Sequence, residues 1–123
     1  MAKKRILIID DSEIDRAILE NILFLDFNIE TDENGYKGVE RILKGAPRID
    51  GILLDLHMPI MDGFGVLELL KENDITDIPI VIITAESTES NLIKAYPYNI
   101  ADFICKPYDP DSLLPRLTAA FDK

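Results

Sequence analysis

Short aliphatic runs that fail to alternate, set between stretches of helical period, constrain this chain more than any other feature. Ile6-Leu7-Ile8-Ile9, Gly51-Ile52-Leu53-Leu54 and Ile78-Pro79-Ile80-Val81-Ile82-Ile83 lack polar residues. A strand with one wet face alternates; a strand apolar on both sides belongs to a sheet covered on both faces. Between the runs, Ile14, Ala17, Ile18, Leu19, Ile22 and Leu25 recur at helical spacing over residues 12–25. Phe27-Asn28-Ile29-Glu30-Thr31 is a weaker strand, followed by a turn at Asn34-Gly35. Tyr36, Val39, Ile42 and Leu43 mark a second helix that stops near Gly45 and Pro47. Phe64 to Glu72 is a third, with Leu67 and Leu70 inward, and residues 87–96 a fourth that stops before Pro97.

Ala101 to Cys105 gives the fifth strand, and Asp109-Pro110 supplies a cap and first helical residue for the last helix. That helix carries Leu113, Leu114, Leu117 and Phe121. Pro79 is tolerable near a strand start. Pro115 cannot donate to the carbonyl of Asp111, so it should delay or kink the helix. Five strand–helix pairs imply parallel strands joined by right-handed crossovers. The expected fold is α/β: a doubly wound five-stranded parallel sheet with helices on both faces. The 123 residues, 47% of them apolar, suit one domain spanning residues 1–123.

A formal net charge of −10 opposes direct nucleic-acid binding and attachment to an anionic membrane. No segment approaches the roughly 20 apolar residues that span a bilayer. The apolar run after the basic start, Ile6 to Ile9, is too short for a signal-peptide core. A single cysteine, Cys105, forms no internal disulfide, which fits a reducing, cytoplasmic setting, and its strand-like context predicts a buried filler.

Sheets of this kind place ligands beyond the carboxyl ends of their strands. Strand one ends at Asp10 and Asp11, strand three at Asp55, strand four at Thr84 and strand five at Lys106. Crowded carboxylates need a cation, and all-oxygen ligands favour Mg2+. Asp11 and Asp55 are the expected direct ligands, Asp10 acts directly or through water, and the backbone carbonyl of His57 completes the set. Asp55 can also be a nucleophile, since carboxylates form acyl phosphates. Phosphoryl transfer asks mainly for alignment and neutralised charge, which Lys106 and a hydrogen bond from Thr84 would supply. A phosphoryl group could draw Thr84 inward and open space for Phe103 to turn, giving a two-state shift.

These residues resemble the receiver domain of bacterial two-component response regulators. The carrying motifs are Ile8-Ile9-Asp10-Asp11, Leu53 to Pro59 followed by Met61-Asp62-Gly63, Ile82-Ile83-Thr84-Ala85, and Ala101 to Pro107. Together they cover essentially the whole chain. The resemblance implies the flavodoxin-like strand order 2-1-3-4-5 and phosphorylation of Asp55 by a sensor histidine kinase or phosphotransfer protein. It also implies Mg2+ on Asp10, Asp11 and Asp55, phosphoryl contacts from Thr84 and Lys106, and Phe103 as switch aromatic. Catalysis would be limited to the chain's own phosphorylation and hydrolysis. The output surface would be helix four, strand five and helix five, facing an output partner or domain or a second phosphorylated copy.

Several positions depart from the family pattern. His57, two residues after Asp55, either tunes phosphoryl lifetime or faces solvent. Asn99 stands where glycine is common, and asparagine tolerates a left-handed turn. Tyr96-Pro97-Tyr98 is either loop packing or an aromatic contact patch, and Phe103 lacks a hydroxyl. A haloacid-dehalogenase-like phosphatase would carry its nucleophile after strand one, unlike Asp55. A flavin protein would need a hydroxyl- and glycine-rich phosphate loop where Ser12-Glu13-Ile14-Asp15 stands. A receiver fold without phosphorylation would not need the intact acid set.

Overall fold

The computed structural model describes residues 2–86, 88–98 and 100–122. Strands β1 (Arg5–Ile9), β2 (Asn28–Asp32), β3 (Gly51–Leu54), β4 (Ile80–Thr84) and β5 (Asp102–Cys105) form one parallel sheet in the order β2-β1-β3-β4-β5. Helices α1 (Glu13–Leu23), α2 (Gly35–Lys44), α3 (Gly63–Glu72), α4 (Glu89–Ala95) and α5 (Pro110–Phe121) join and cover it, with a 3-10 turn at Tyr96–Tyr98.

Side-chain parity explains the unbroken apolar runs. Leu7, Ile9, Ile52, Leu54, Ile80 and Ile82 pack with Val39 and Ile42 of α2 and Val66, Leu67 and Leu70 of α3. Ile6, Ile8, Leu53, Val81 and Ile83 point the other way, onto Leu19 and Leu23 of α1 and Leu113, Leu117 and Phe121 of α5. Each central strand thus feeds two cores, and a polar residue at either parity would be buried without water.

Helix punctuation follows the sequence. Ser12, Asn34, Asp62, Thr88 and Asp109 are N-caps whose side chains accept a backbone N–H from the first turn. Gly45 closes α2 at φ 72°, the left-handed conformation glycine adopts without a Cβ penalty.

Several expectations are corrected. On α1 the sheet takes Leu19 and Leu23, both fully buried, whereas Ile14 and Ile18 are 72% and 44% exposed. Ala17 is exposed too, and Leu25 lies beyond the helix end in solvent. The apolar stripe was wider than the single edge that α1 presents to the sheet. Cys105 is exposed, not a buried filler, because β5 is an edge strand and its neighbour Ile104 takes the core position. Strand β4 begins after Pro79, whose carbonyl still accepts the Ile52 N–H at 3.0 Å. Helix α5 runs unbroken through Pro115 from Pro110, and the Asp111 carbonyl, to which Pro115 cannot donate, belongs to an exposed residue. Asn99 lies outside the described residues.

Candidate functional site

The site is an extension of the sheet's own ladder. Asp10 follows β1 and donates its N–H to the Asp32 carbonyl at 3.2 Å. Asp55 follows β3 and donates to the Ile9 carbonyl at 3.0 Å; Lys106 follows β5 and donates to the Thr84 carbonyl at 2.9 Å. Three of the strand ends then repeat one local turn. The Asp10 carboxylate accepts the Ser12 N–H at 2.9 Å, that of Asp55 the His57 N–H at 3.0 Å, and the Thr84 hydroxyl the Glu86 N–H at 3.2 Å. Such side-chain-to-backbone turns are what short polar residues offer at the end of a regular element.

Lys106 gathers the acids. Its ammonium donates to Asp15 at 2.8 Å, Asp55 at 2.9 Å and Asp10 at 3.0 Å. Asp10 is 1% exposed, Asp55 6% and Thr84 fully buried. Burial pushes the Asp10 carboxyl above the usual carboxylate range, against the opposing pull of the Ser12 N–H and Lys106. For Lys106, burial works to lower the ammonium, but the bonds to Asp15, Asp55 and Asp10 outweigh it and hold it above an ordinary lysine. Burial, and then the charge of Asp15, raises the nearby Tyr108 phenol.

Asp11, exposed at the rim, completes the acidic group: oxygens of Asp10, Asp11 and Asp55 lie within 4.8 Å of one another. Hard oxygen donors and a surplus of negative charge over one ammonium fit Mg2+.

The loop after β3 is shaped to leave the Asp55 turn tight. Gly63 donates its N–H to the Leu56 carbonyl at 2.9 Å. A Cβ on Gly63 would stand 2.7 Å from both the Asp55 carbonyl oxygen and the Leu56 Cα. Before it, Met61 donates to the Pro59 carbonyl at 2.7 Å across Ile60, which has φ 69°. That is the strained three-residue turn, adopted here by a β-branched residue.

His57 turns its imidazole outward, 78% exposed, with Nδ1 3.2 Å from Glu86 Oε1, so the two loops flanking the pocket touch across its mouth. Phe103 is half-buried against the core shared with α2 and α3. With Leu92, Ala95, Tyr96 and Ile100 it lines an open groove of about 570 Å3. The Tyr96-Pro97-Tyr98 turn divides its aromatics: Tyr96 is 87% exposed, whereas the Tyr98 hydroxyl donates to Glu68 at 2.6 Å.

The structure therefore brings Asp10, Asp11, Asp55 and Lys106 together, and sets Thr84 at the adjacent strand end. Sequence reasoning missed Asp15. Its signal was its place in the first turn of the helix that follows Asp10 and Asp11, which keeps it beside the end of strand one. It also missed Arg16, whose guanidinium donates to the Asp10 carbonyl at 2.7 Å.

Comparison with known proteins bears on this site. The family model described as the response regulator receiver domain matches residues 6–118. A probable transcriptional regulator, ycf29, of Porphyra purpurea is 30% identical over 115 residues, which are 93% of this chain and 54% of that protein. The chain thus spans about half the length of that relative. The two-component response regulator ORR5 of Oryza sativa subsp. japonica is 30% identical over 110 residues, covering 88% of this chain and 81% of its own. Among solved structures, the CheX–CheY–BeF3–Mg2+ complex of Borrelia burgdorferi aligns with TM-score 0.89 and 31% identity, over 99% of this chain and 92% of that one. The Vibrio cholerae chemotaxis protein CheY4 aligns with TM-score 0.86 and 25% identity, over 97% and 99%.

Proposed function

The chain belongs to the response regulator receiver family, a signalling switch of two-component systems and not a classical enzyme, and we propose that Asp55 is its phosphoacceptor. The observation that carries this is the Lys106 ammonium within 3.0 Å of both Asp55 and Asp10, beside the three-aspartate group. Residues 1–123 act as one receiver domain.

The donor is a phosphohistidine on a sensor histidine kinase or phosphotransfer protein. An Asp55 carboxylate oxygen attacks phosphorus, the P–N bond breaks, and the imidazole leaves with the electron pair. Asp55 Oδ1 is held by the His57 N–H, so Oδ2, turned to Lys106, is the attacking oxygen. Asp10, Asp11, Asp55 and the His57 backbone carbonyl would hold Mg2+, which supplies positive charge to phosphoryl oxygens when bound. Lys106 donates to one phosphoryl oxygen. The Thr84 hydroxyl accepts from Glu86 and keeps its own proton to donate to another. The same residues serve the domain's own catalysis of transfer and of later hydrolysis, and His57 with Glu86 controls water access.

Drawing Thr84 toward the phosphoryl group pulls the loop after β4. The half-buried Phe103 then follows inward, and the surface of α4, β5 and α5 changes shape. That surface acts on an output partner or output domain, or pairs two phosphorylated copies. Direct contact with nucleic acid or membrane is no part of this reading: the net charge is −10, and no helix among the described residues is long and apolar enough to cross a membrane. The working compartment is the cytoplasm.

The test is titration with beryllofluoride and Mg2+, followed by NMR. Large shifts are expected around Asp55, Thr84 and Phe103, and Asp55→Ala should abolish them. Lys106→Ala should retain metal binding but lose the propagated shifts. Shifts at Phe103 that survive Asp55→Ala would end this reading.

A further inference from the structure

Lys106 has three ammonium protons, and three carboxylates take them. A phosphoryl oxygen on Asp55 can gain a hydrogen bond from this ammonium only by displacing an acceptor. The three differ in what displacement costs. Asp55 yields one place itself, because its Oδ2 becomes the acyl oxygen on transfer, and a second phosphoryl contact must come from the other two. Asp10 is 1% exposed at its side chain and would be left in a poorly hydrated place. Asp15 is 37% exposed, stands on the first turn of α1, and can turn its carboxylate into water. It also makes the shortest of the three bonds, at 2.8 Å.

We propose that Asp15 is a positioning residue that occupies the place of a phosphoryl oxygen: it holds Lys106 over the pocket until phosphorylation of Asp55 evicts it. This rests on the receiver reading of Asp55. In the resting state Lys106 is fully bonded and stationed beside Asp55. After transfer, the Lys106–Asp15 bond breaks and a Lys106–phosphoryl bond forms, with no change in the proton count on lysine. Part of each new bond is thereby offset by the lost one. Asp15 sets how tightly the phosphorylated state is held, while the aspartates facing the metal are unchanged.

The experiment is beryllofluoride titration at saturating Mg2+, read by calorimetry and by the amide shifts of Thr84 and Phe103. Asp15→Asn keeps shape and removes charge; it should tighten beryllofluoride binding about fivefold, the size of one partly exposed ion pair. Asp15→Ser should do the same and guards against a fault particular to the amide. In a Lys106→Ala background, Asp15→Asn should change the affinity little. Unchanged or weaker binding in both Asp15 variants overturns the proposal. So does an equal gain in the Lys106→Ala background, which would reveal plain charge repulsion from Asp15. If the wild-type chain shows no Asp55-dependent binding, the receiver reading itself falls and this proposal with it; binding that needs Asp55 but ignores Asp15 removes only the latter.

Discussion

The two ends of the sheet solve opposite electrostatic problems. At the carboxyl end all five helices begin, and each first turn is closed by Ser12, Asn34, Asp62, Thr88 or Asp109. At the amino end the helices stop, and their carbonyls are met from elsewhere. Lys3 donates to the Phe24 carbonyl at 3.4 Å and Lys4 to the Phe121 carbonyl, for two helices with no basic residue in their own last turns. The Asn73 side chain donates to the Leu69 carbonyl at 2.8 Å. Helix dipoles thus favour anions at one end and cations at the other. The amino end matches each charge to a local need and keeps it wet. The carboxyl end gathers more carboxylates than its helices require, and buries them around one ammonium. That excess, and not acidity in itself, separates a site from a set of caps.

Breaking the buried end should have the largest effect. Lys106→Met leaves Asp10 and Asp55 facing each other without a counter-charge. It should cost on the order of 3 kcal/mol in urea unfolding without divalent cations, and added Mg2+ should recover part of it. Gly63→Ala drives a methyl into the Asp55–Leu56 backbone. A loss of about 2 kcal/mol is expected in thermal unfolding, with displaced amide signals for Asp55 and His57.

Asp10→Asn sharpens the comparison by reversing the sign. A carboxyl raised by burial favours the folded state below its unfolded value of 3.8, and that contribution is lost as pH rises through the higher folded value. The asparagine variant escapes this loss. It should be the more stable protein at pH 7, with the two unfolding curves converging as pH falls toward 3.8. At the amino end the smallest change is expected. Lys4→Gln should lose about 0.5 kcal/mol, reduced further by salt. A loss as large as that of Lys106→Met would erase the distinction between the two ends.

The sequence made the strand ends legible for a physical reason. An aspartate, threonine or lysine that terminates an unbroken apolar run has one place to go, the rim of a sheet covered on both faces. The meeting of Asp10, Asp55 and Lys106 at one edge of the sheet follows from that, whereas the order of the strands was implied only by the resemblance to receiver domains. Helix orientation was less legible. Helix α1 offers apolar residues on more than one face, and only packing decides that Leu19 and Leu23 go inward. The same rotation turns Asp15 toward Lys106, which is why a residue of the site escaped notice as part of an ordinary acidic first turn. Cys105 was misjudged because local composition does not say which strand lies at the edge.

Ile60 carries a consequence for engineering. It is 87% exposed at φ 69°, so it gains neither burial nor a relaxed backbone. Natural chains retain many such unoptimised positions. A thermostability screen over this chain should therefore enrich glycine or asparagine there early, and comparing the enriched variants in a partner-binding selection would reveal whether the isoleucine is kept for its contacts.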